Sequence, residues 1–537
     1  MTDPKPSGAS LPNRLMGLVP FGPQLAFRVR DARHSFGRYN LEQLRLHLPE
    51  AVAQAADHAR RSPAGKRVFL FASIHYWIEY SAILGLALAA EGHRLTLGYL
   101  PYSDYRKPTS RFDLRFQSYY SRKALEAAGP VMKCVDLLDV PQALALPPEL
   151  EQAVDQISVL DTQYVLQVED VDRDCDFYRM RLAYNRRTAR ALLTLLRSEQ
   201  PDVVLFPNGI IIEYGVAYRV ARYLKLPVVT YEFSDAREQF WLAHDDEVMR
   251  QDTTSLCQAY GTAPLSAAQR GRIEALEQAR LSARSYGKSD RLWQDLPPQG
   301  KQAVRAAIGL DERPVVLLAT NVLGDSLILG RNLFSQSMAD WILRTIEYIG
   351  RHPGSQLVVR VHPGERLMKG PSMVDIIKAQ YAHLPDNVHV VGPLDPVNTY
   401  DIVSIADLGL AFTTTVGMEM VMAGVPVIVA GDTHYRGRGF THDPASWDEY
   451  FTDIETILGG GAQARPTPQQ VEMAWTYAYR FFFQFPRPFP WKLYNFWKDF
   501  QAWPLERLLG PEGQARYGAS LHALAGEPIQ WTDWNTD

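Results

Sequence analysis

The chain has 537 residues, which exceeds one ordinary hydrophobic core and predicts two domains. A net charge of only −4 excludes a protein that binds nucleic acid through bulk electrostatics, and 46% hydrophobic with 22% charged residues is typical of a soluble globular protein. The three cysteines, Cys134, Cys175 and Cys257, are scattered without metal-ligand spacing, which favours a reduced, cytoplasmic setting. Residues 1–12 carry no secretory signal pattern, and no apolar run approaches the ~20 residues of a membrane span.

The first half of the chain is predicted to be an α/β domain over residues 61–290, preceded by an N-terminal extension over residues 1–60. Short apolar runs with strand character alternate with helical stretches, and this alternation predicts parallel βαβ units. The pattern occurs twice, as strand 67–72, helix 77–90 and strand 95–100, and again as strand 203–206, helix 213–224 and strand 227–231.

The middle of the chain is predicted to join two domains. A polar helix is expected over residues 266–283, with Ser266 as its N-cap. The stretch 287–302 is rich in charge, proline and glycine and is the predicted interdomain linker. A second α/β domain is predicted over residues 303–465.

The last part of the chain, residues 466–537, is predicted to be a helical extension. It begins with an aromatic-rich helix over residues 467–483. Aromatic and basic residues alternate over residues 486–503, and we predict that they pack against the body of the protein. A peripheral contact with a membrane is the alternative for this segment.

Three predicted strands of the second domain end on polar residues. These are His362 after strand 357–361, Thr413, Thr414 and Thr415 after strand 408–412, and the basic, glycine-rich loop 431–440 after strand 426–430. Ligands bind in the crevice outside the carboxyl ends of parallel strands. The sequence therefore predicts a site for a phosphate-bearing ligand at this edge.

The chain contains two His-Pro pairs, and their positions distinguish them. His352 follows the helical run 339–349, which places it before the strand and predicts an ordinary loop residue. His362 follows the strand, with Arg360 two residues earlier and on the same face if the strand persists. His362 is therefore the predicted phosphate contact.

The threonine cluster leads into a predicted helix over residues 416–423. The first turn of a helix exposes unpaired N–H groups that accept phosphate, and threonine hydroxyls add donors. Ordinary N-capping by Thr414 or Thr415 explains the same pattern without a ligand and stays open. Glu419, about one turn into this helix, is a candidate for a ribose contact or a solvated surface residue.

Five motifs of the second half resemble bacterial capsule polysaccharide biosynthesis transferases, including the Kdo (3-deoxy-manno-octulosonate) transferase type, within the GT-B glycosyltransferase superfamily. The motifs are Asn321-Val322 with Asp325-Ser326, the run Arg360 to Glu365, Thr413 to Glu419, Gly424 to Ile428, and Thr433 to Thr441. The resemblance covers roughly residues 315–445, and the Gln-Pro motif of some Kdo transferases has no counterpart.

The resemblance implies a glycosyltransferase with a GT-B-like fold, in which two Rossmann-like domains face each other across a cleft and C-terminal helices cross back. Because the sequence contains no ligand cluster with metal spacing, we expect the chemistry to be metal-independent. It implies a nucleotide-sugar donor, CMP-linked in related sialyltransferases, and a glycan or lipid-linked glycan acceptor. No cofactor is expected. The predicted ligand contacts are Asn321, Arg360, His362, Glu365, Thr413, Thr414, Thr415, Glu419, His434, Arg436 and Arg438.

Glycosyl transfer also requires a base or nucleophile, and three residues are candidates. Glu232 and His75 follow predicted strands of the first domain, and Asp325 lies in the loop after strand 315–319. A carboxylate in a closed site can have its pKa raised towards a useful value, which favours Glu232. The acidic stretch 169–174 contains Asp-x-Asp but lacks a strand-to-loop context, so a solvated face is predicted there and no metal site.

Two other functions remain open from the sequence. A nucleotide-sugar 2-epimerase shares the two-domain fold, and a transferase moving a polyol phosphate from a CDP-linked donor also uses a His-Pro motif. A cytoplasmic protein, at most peripheral at the inner face of a membrane, fits all three.

Overall fold

The computed structural model describes residues 19, 21–234, 236–286, 296–368 and 370–532. Twelve strands are described, numbered in chain order: β1 Arg67–Ser73, β2 Arg94–Leu100, β3 Met132–Asp136, β4 Val203–Pro207, β5 Val228–Phe233, β6 Gln239–His244, β7 Val315–Ala319, β8 Gln356–Arg360, β9 Val388–Val391, β10 Leu408–Ala411, β11 Val427–Val429 and β12 Arg487–Pro488.

The strands form two sheets, one in each of two compact units. The first unit comprises Met1–Thr162, Asp172–Met249 and Arg487–Gln530, and the second comprises Gln163–Val171, Arg250–Pro486 and Trp531–Asp537. The first sheet has the order β12-β6-β5-β4-β1-β2-β3, with β6 and β12 antiparallel to their neighbours. The second sheet, β11-β10-β7-β8-β9, is parallel throughout. The predicted α/β class with two sheets is confirmed, and a C-terminal segment returns to the first sheet.

Helices connect the strands, as expected for parallel sheets. The described α-helices are Gly22–Ala32, Glu42–Ala59, His75–Ala90, Arg111–Leu125, Pro148–Leu166, Asp176–Glu199, Ile212–Tyr223, Thr254–Tyr260, Ala267–Leu281, Lys301–Ile308, Met338–Gly350, Met373–Gln380, Thr399–Val403, Val416–Met422, Trp447–Gly460, Pro468–Tyr479, Phe496–Ala502, Leu505–Leu509 and Pro511–Leu524. Strands buried on both faces need continuous apolar runs, and β1, β4, β7 and β8 have them.

The division into units differs from the sequence-based domain boundaries. Contacts group residues 250–286 with the second unit, whereas the sequence places them in the first domain. The physical reason is the helix Ala267–Leu281, which starts with the predicted Ser266 cap in a capping box and buries Arg280 in an ion pair with Glu419. The predicted linker 287–302 lies partly outside the described residues. Its last part belongs to the second unit, since Gln299 N donates to Asp401 Oδ2 at 2.7 Å.

The aromatic C-terminal segment packs inside the first unit, as predicted. Trp491, Phe496, Phe500 and Trp503 have exposed fractions of 1%, 5%, 6% and 7%. A membrane contact through these rings, the alternative for residues 486–503, is therefore excluded for these four side chains. In the described part of the chain, no helix is both long enough and apolar enough to cross a bilayer.

The helix His75–Ala90 carries a buried carboxyl group into the core of the first unit. Glu79 is 9% exposed. Burial raises the pKa of Glu79 from 4.5 to about 8, although hydrogen bonds with the Trp497 side chain and the Leu44 backbone oppose the shift. Because a pKa raised on folding lets the folded state keep a proton that the unfolded state has lost, this group lowers stability progressively as pH rises between these two values.

We expect Glu79→Gln to remove this pH dependence. Each unit of pKa difference corresponds to about 1.4 kcal/mol, so the gain of the variant over the natural protein should increase by about 1.4 kcal/mol per pH unit in that interval. Urea unfolding at pH 5 and at pH 8 measures the two differences. A gain that is the same at both pH values would contradict the assignment.

Candidate functional site

The carboxyl edge of the second sheet brings the predicted polar residues together. Asn321, His362, Thr413 and Thr433 follow β7, β8, β10 and β11, which all point the same way. Hydrogen bonds link these strand ends. Thr413 N donates to Asn321 Oδ1 at 3.2 Å, and Thr433 Oγ1 donates to Thr413 O at 3.3 Å. The predicted edge is therefore one connected surface.

Thr413 carries the most informative atom at this edge. Its side chain is 9% exposed, and its Oγ1 has no hydrogen-bond partner among the described residues. Leaving a buried hydroxyl unpaired costs about 1–3 kcal/mol, and such groups in folded proteins call for an explanation. A hydrogen bond between Oγ1 and a ligand atom would explain why this hydroxyl has no partner in the protein.

Of the two neighbouring threonines, local structure accounts for Thr414. Thr414 Oγ1 accepts a long bond of 3.4 Å from Val416 N, and Thr414 O accepts a bond of 2.7 Å from Tyr435 Oη. Thr415 is the N-cap of the helix Val416–Met422, but its side chain makes no capping bond. The capping alternative therefore applies to Thr414 and leaves the hydroxyl of Thr413 unexplained.

His362 is oriented by its own backbone turn. Its Nδ1 accepts a hydrogen bond of 2.9 Å from Gly364 N, and its backbone N donates to Thr320 Oγ1 at 3.0 Å. A backbone N–H can only donate, so Nδ1 is unprotonated and the ring proton lies on Nε2. His362 thus presents an N–H donor, which suits a phosphate oxygen. His352, by contrast, is exposed after the helix Met338–Gly350, as predicted.

Arg360 and Arg436, which the sequence predicts as cationic ligand contacts, donate hydrogen bonds to backbone carbonyl oxygens. Arg360 is 4% exposed and donates to Gly392 O at 2.6 Å and Val397 O at 3.0 Å, which fixes the loop after β9. Arg436 donates to Val429 O at 2.6 Å and to Asp443 O at 2.8 Å. These bonds give both guanidinium groups a structural function, and the ligand contact of Arg360 and Arg436 stays a prediction.

His434 is also unsuitable as a cation. It is 7% exposed, and burial lowers its pKa to about 3, with Arg438 contributing a smaller decrease. Its ring stacks on Phe481 at a centroid distance of 3.8 Å, in the π-helical turn Arg480–Gln484, and Nδ1 lies 2.9 Å from Tyr477 Oη. His434 is therefore a neutral residue that shapes the site.

Arg438 and the glycines beside it form the remaining part of the predicted basic loop. Arg438 Nη2 donates to Thr253 Oγ1 at 3.1 Å and Thr254 Oγ1 at 3.0 Å, and its side chain is 21% exposed. Gly437 and Gly439 have φ values of +73° and +86°, a backbone region that glycine adopts without strain. The glycines thus fix the shape of the loop that carries Arg438.

The two predicted glutamate contacts are held by structural partners. Glu419 pairs with Arg280 through one oxygen and accepts a bond of 2.7 Å from Tyr400 Oη through the other. Glu365 Oε2 accepts bonds from Ser372 Oγ at 2.7 Å and Met373 N at 3.1 Å, at the start of the helix Met373–Gln380. Glu419 is 3% exposed, so the alternative of a solvated surface residue is wrong, and the ribose contact stays a prediction.

Two arginines that the sequence analysis did not select lie near the end of β11. Arg331 is 3% exposed, its O accepts Asp432 N at 2.9 Å, and its Nη1 lies 4.0 Å from Asp432 Oδ2. Arg250 Nη2 lies 3.9 Å from the same oxygen. Arg250 is far from the motifs along the chain, and Arg331 follows the Asp325-Ser326 motif by five residues without a pattern that marks it. Both belong to the second unit.

Asp325, the weakest catalytic candidate, is placed in a turn. Its Oδ1 accepts a hydrogen bond of 3.0 Å from Leu327 N, and its O accepts one of 2.9 Å from Ile328 N. These contacts give Asp325 a local structural function. We retain it only as a candidate from the sequence.

The carboxyl edge of the first sheet holds the other two catalytic candidates. Glu232, in β5, accepts Asn208 Nδ2 through Oε2 at 3.2 Å and Phe233 N through Oε1 at 3.0 Å. Burial raises the pKa of Glu232 above 4.5. Asn208 was not selected from the sequence, yet Ile210 N and Ile211 N donate to its Oδ1 and thereby orient its amide towards Glu232.

His75 sits in a more apolar environment than Glu232. Burial lowers its pKa to about 4, and its Nδ1 is buried without a hydrogen-bond partner in the described part of the chain. The preceding Ile74 has a φ of +73°, which a β-branched residue rarely adopts. Such strain often accompanies functional sites. A base needs a pKa near the working pH, so the raised pKa of Glu232 suits this role better than the lowered pKa of His75.

Among the residues that the structure describes, no group of three or more His, Cys, Asp or Glu side chains is arranged to hold a metal ion. The acidic stretch 169–174 includes Glu169, whose carboxylate instead accepts Met338 N and Ala339 N at 2.8 Å each. Glu169 therefore caps the helix Met338–Gly350.

Comparisons with known proteins agree with the motifs. Among curated proteins nothing matches. Two similar solved structures are the beta Kdo 2,4 transferase of Thermosulfurimonas dismutans KpsC (18% identity, 54% of this chain and 82% of that chain, TM-score 0.34) and its beta Kdo 2,7 transferase (16% identity, 47% and 73%, TM-score 0.29). A third is the Neisseria meningitidis UDP-GlcNAc 2-epimerase bound to UDP-GlcNAc (13% identity, 76% and 94%, TM-score 0.25). These likenesses are too distant to assign a function.

The family comparison is more specific than the structural ones. The model of the capsule polysaccharide biosynthesis protein family matches residues 292–452. This segment contains β7 to β11 together with His362, Thr413 and His434. The chain is therefore similar to the capsule polysaccharide biosynthesis protein family over residues 292–452.

Proposed function

We propose that the chain is a glycosyltransferase of capsule polysaccharide biosynthesis that transfers a sugar from a CMP-linked donor to a glycan acceptor. The observation that carries the proposal is the unpaired, buried hydroxyl of Thr413 at the carboxyl edge of the second sheet, within the family segment. Nucleotides bind at this edge in open α/β sheets. A 3-deoxy-manno-octulosonate donor is the first to test, because the motifs resemble those of Kdo transferases.

The leaving phosphate needs donors that act as its charge develops. In our proposal, Thr413 Oγ1 and His362 Nε2 donate to phosphate oxygens, and Arg250 and Arg331 supply positive charge. Preorganised donors of this kind stabilise a transition state without reorganisation. Arg360 and Arg436 contribute indirectly, by fixing the loops.

In the proposed reaction at the anomeric carbon, Glu232 is the base. The bond from this carbon to the phosphate oxygen breaks, with its electron pair passing to the phosphate. The acceptor hydroxyl forms the new bond, and its proton passes to the carboxylate of Glu232. Asn208 positions that carboxylate through the bond of 3.2 Å. The proposal needs no metal ion.

We expect Thr413→Val to weaken donor binding while leaving the fold intact. Valine keeps the shape but removes a hydroxyl that has no protein partner, so the free energy of unfolding should stay equal or rise. Losing a hydrogen bond to the donor should raise its Kd by about 5- to 30-fold, or about 1–2 kcal/mol. Calorimetry with CMP-, CDP-, UDP- and GDP-linked donors, in the presence of EDTA, measures both affinity and base preference.

Thr433→Val is the matched control, because the Thr433 hydroxyl already donates to Thr413 O. That variant should lose stability and keep a donor affinity close to the natural one. Unchanged donor affinity in a folded Thr413→Val protein would remove the assignment. Conversion of a donor without any acceptor would favour the epimerase, and tightest binding of a CDP-linked polyol would favour the phosphotransferase.

A further inference from the structure

The helix Gly22–Ala32 of the first unit presents an apolar stripe to solvent. Phe21, Leu25 and Val29 have exposed fractions of 75%, 59% and 44%. Residues spaced by four lie on one face of a helix, so these side chains form a continuous stripe. Single exposed apolar residues are ordinary, but contiguous apolar patches mark interaction surfaces.

The opposite face of the same helix is firmly packed. Phe27 is 7% exposed, with its ring centroid 5.4 Å from that of Tyr119 and 5.3 Å from that of Tyr120. The guanidinium of Arg30 lies 4.4 Å from the ring centroid of Phe116. The helix is therefore held with Phe27 inward, and the stripe points away from the core that anchors it.

Arginines border the stripe on both sides. At about 100° per residue, Arg28 lies about 60° to one side of Leu25 and Arg33 about 80° to the other. Both arginines are exposed, and Arg38 beyond the helix is exposed as well. Within the described residues, these three arginines make no ion pair.

The surroundings of the stripe are basic although the whole chain is acidic. Residues 19–45 contain five arginines against one aspartate and one glutamate, while the net charge of the chain is −4. The aspartate, Asp31, already pairs with Arg45. An apolar stripe flanked by arginines complements an anionic lipid surface, into which the apolar side chains insert while the guanidinium groups meet the headgroups.

We propose that the stripe formed by Phe21, Leu25 and Val29, with Arg28 and Arg33 beside it, docks the protein on the surface of an anionic phospholipid membrane. In the aromatic C-terminal segment, Trp491, Phe496, Phe500 and Trp503 are buried, and the exposed ring of Tyr494 is a single residue and forms no stripe with them. This membrane surface is the proposed location of the protein, whichever reaction the protein catalyses.

The test is co-sedimentation of the full chain with vesicles of phosphatidylglycerol and phosphatidylcholine, compared with vesicles of phosphatidylcholine alone. Two variants probe the two components: a triple replacement of Phe21, Leu25 and Val29 by serine, and a double replacement of Arg28 and Arg33 by glutamate. Leu394→Ser is the matched control, because Leu394 is 79% exposed in the second unit. Melting temperature and molar mass in solution are recorded for each protein.

We expect the natural chain to bind the anionic vesicles only, and both stripe variants to bind them about tenfold or more weakly. Leu394→Ser should bind like the natural chain. Binding should also weaken between about 0.1 M and about 1 M salt, as the Debye length falls from about 10 Å to about 3 Å. Failure of the full chain to bind anionic vesicles would overturn the proposal. If the triple variant binds vesicles like the natural chain, and if the natural chain is a dimer while the variant is a monomer, the stripe binds a second copy of the chain instead of a membrane.

Discussion

Replacing Glu232 by glutamine is expected to lower kcat by about two to four orders of magnitude while donor affinity stays close to the natural value. Glutamine keeps the size of the side chain, and its single amide oxygen can still accept a hydrogen bond from Asn208 Nδ2 or from Phe233 N, but it cannot take the acceptor proton. Loss of turnover without loss of binding is the signature of an interaction made in the transition state. Steady-state kinetics together with donor calorimetry separate the two effects.

The pH dependence of the activity is a second test of the function of Glu232 as a base. A base must be deprotonated to act, so activity should fall as pH decreases through the folded-state pKa of Glu232, which burial raises above 4.5. The glutamine variant should lack this acidic limb. Glu238→Gln is the control, because Glu238 pairs with Arg516 at the surface of the same unit. Near-natural turnover in folded Glu232→Gln would exclude Glu232 as the base, and His75 would be tested next.

Replacing His362 by alanine is expected to weaken donor binding by about 10- to 150-fold, equivalent to about 1.5–3 kcal/mol for a hydrogen bond to a charged phosphate. The Nε2–H donor is fixed because Gly364 N occupies Nδ1. Calorimetric titration with the donor nucleotide measures the change.

The chain supplies its own control for this substitution. His352 is the other His-Pro histidine, but it is exposed, and its Nδ1 lies 2.7 Å from the O of Tyr348 in the preceding helix. His352→Ala should leave donor affinity unaltered. Equal effects of the two alanine variants would show that His362 has no special role.

The sequence predicts the strands and their polar ends well because both depend on neighbouring residues. The apolar runs of β8, β10 and β11 are short, β-branched residues predominate in β8 and β11, and polar residues follow each run within three positions. Placing His362 and Thr413 on one edge then required only the rule that parallel strands share direction. The helix cap at Ser266 was predictable for the same local reason.

The structural functions of the charged residues could not be predicted, because their hydrogen-bond partners lie far away along the chain. Glu419 pairs with Arg280, 139 residues earlier, and Arg360 donates to the O of Gly392, 32 residues later. Local sequence presents these groups as free charges near a ligand. Only the folded chain shows that an ion pair and backbone carbonyls take up their hydrogen bonds.

Burial also changes the chemistry of residues that the sequence identifies correctly as unusual. His434 appears as part of a basic loop, but stacking on Phe481 and exclusion of water lower its pKa to about 3. Asn208 was not selected from the sequence, yet its side chain orients Glu232. Neither effect has a signal in the spacing of residues.

The most direct test of the proposed function is mass spectrometry of the products formed by the full chain from a CMP-linked sugar and an oligosaccharide acceptor, with EDTA present. We expect the acceptor to gain the mass of one sugar residue and an equal amount of CMP to be released. An unmodified acceptor together with an isomerised donor, or an acceptor that has gained a polyol phosphate from a CDP-linked donor, would contradict it.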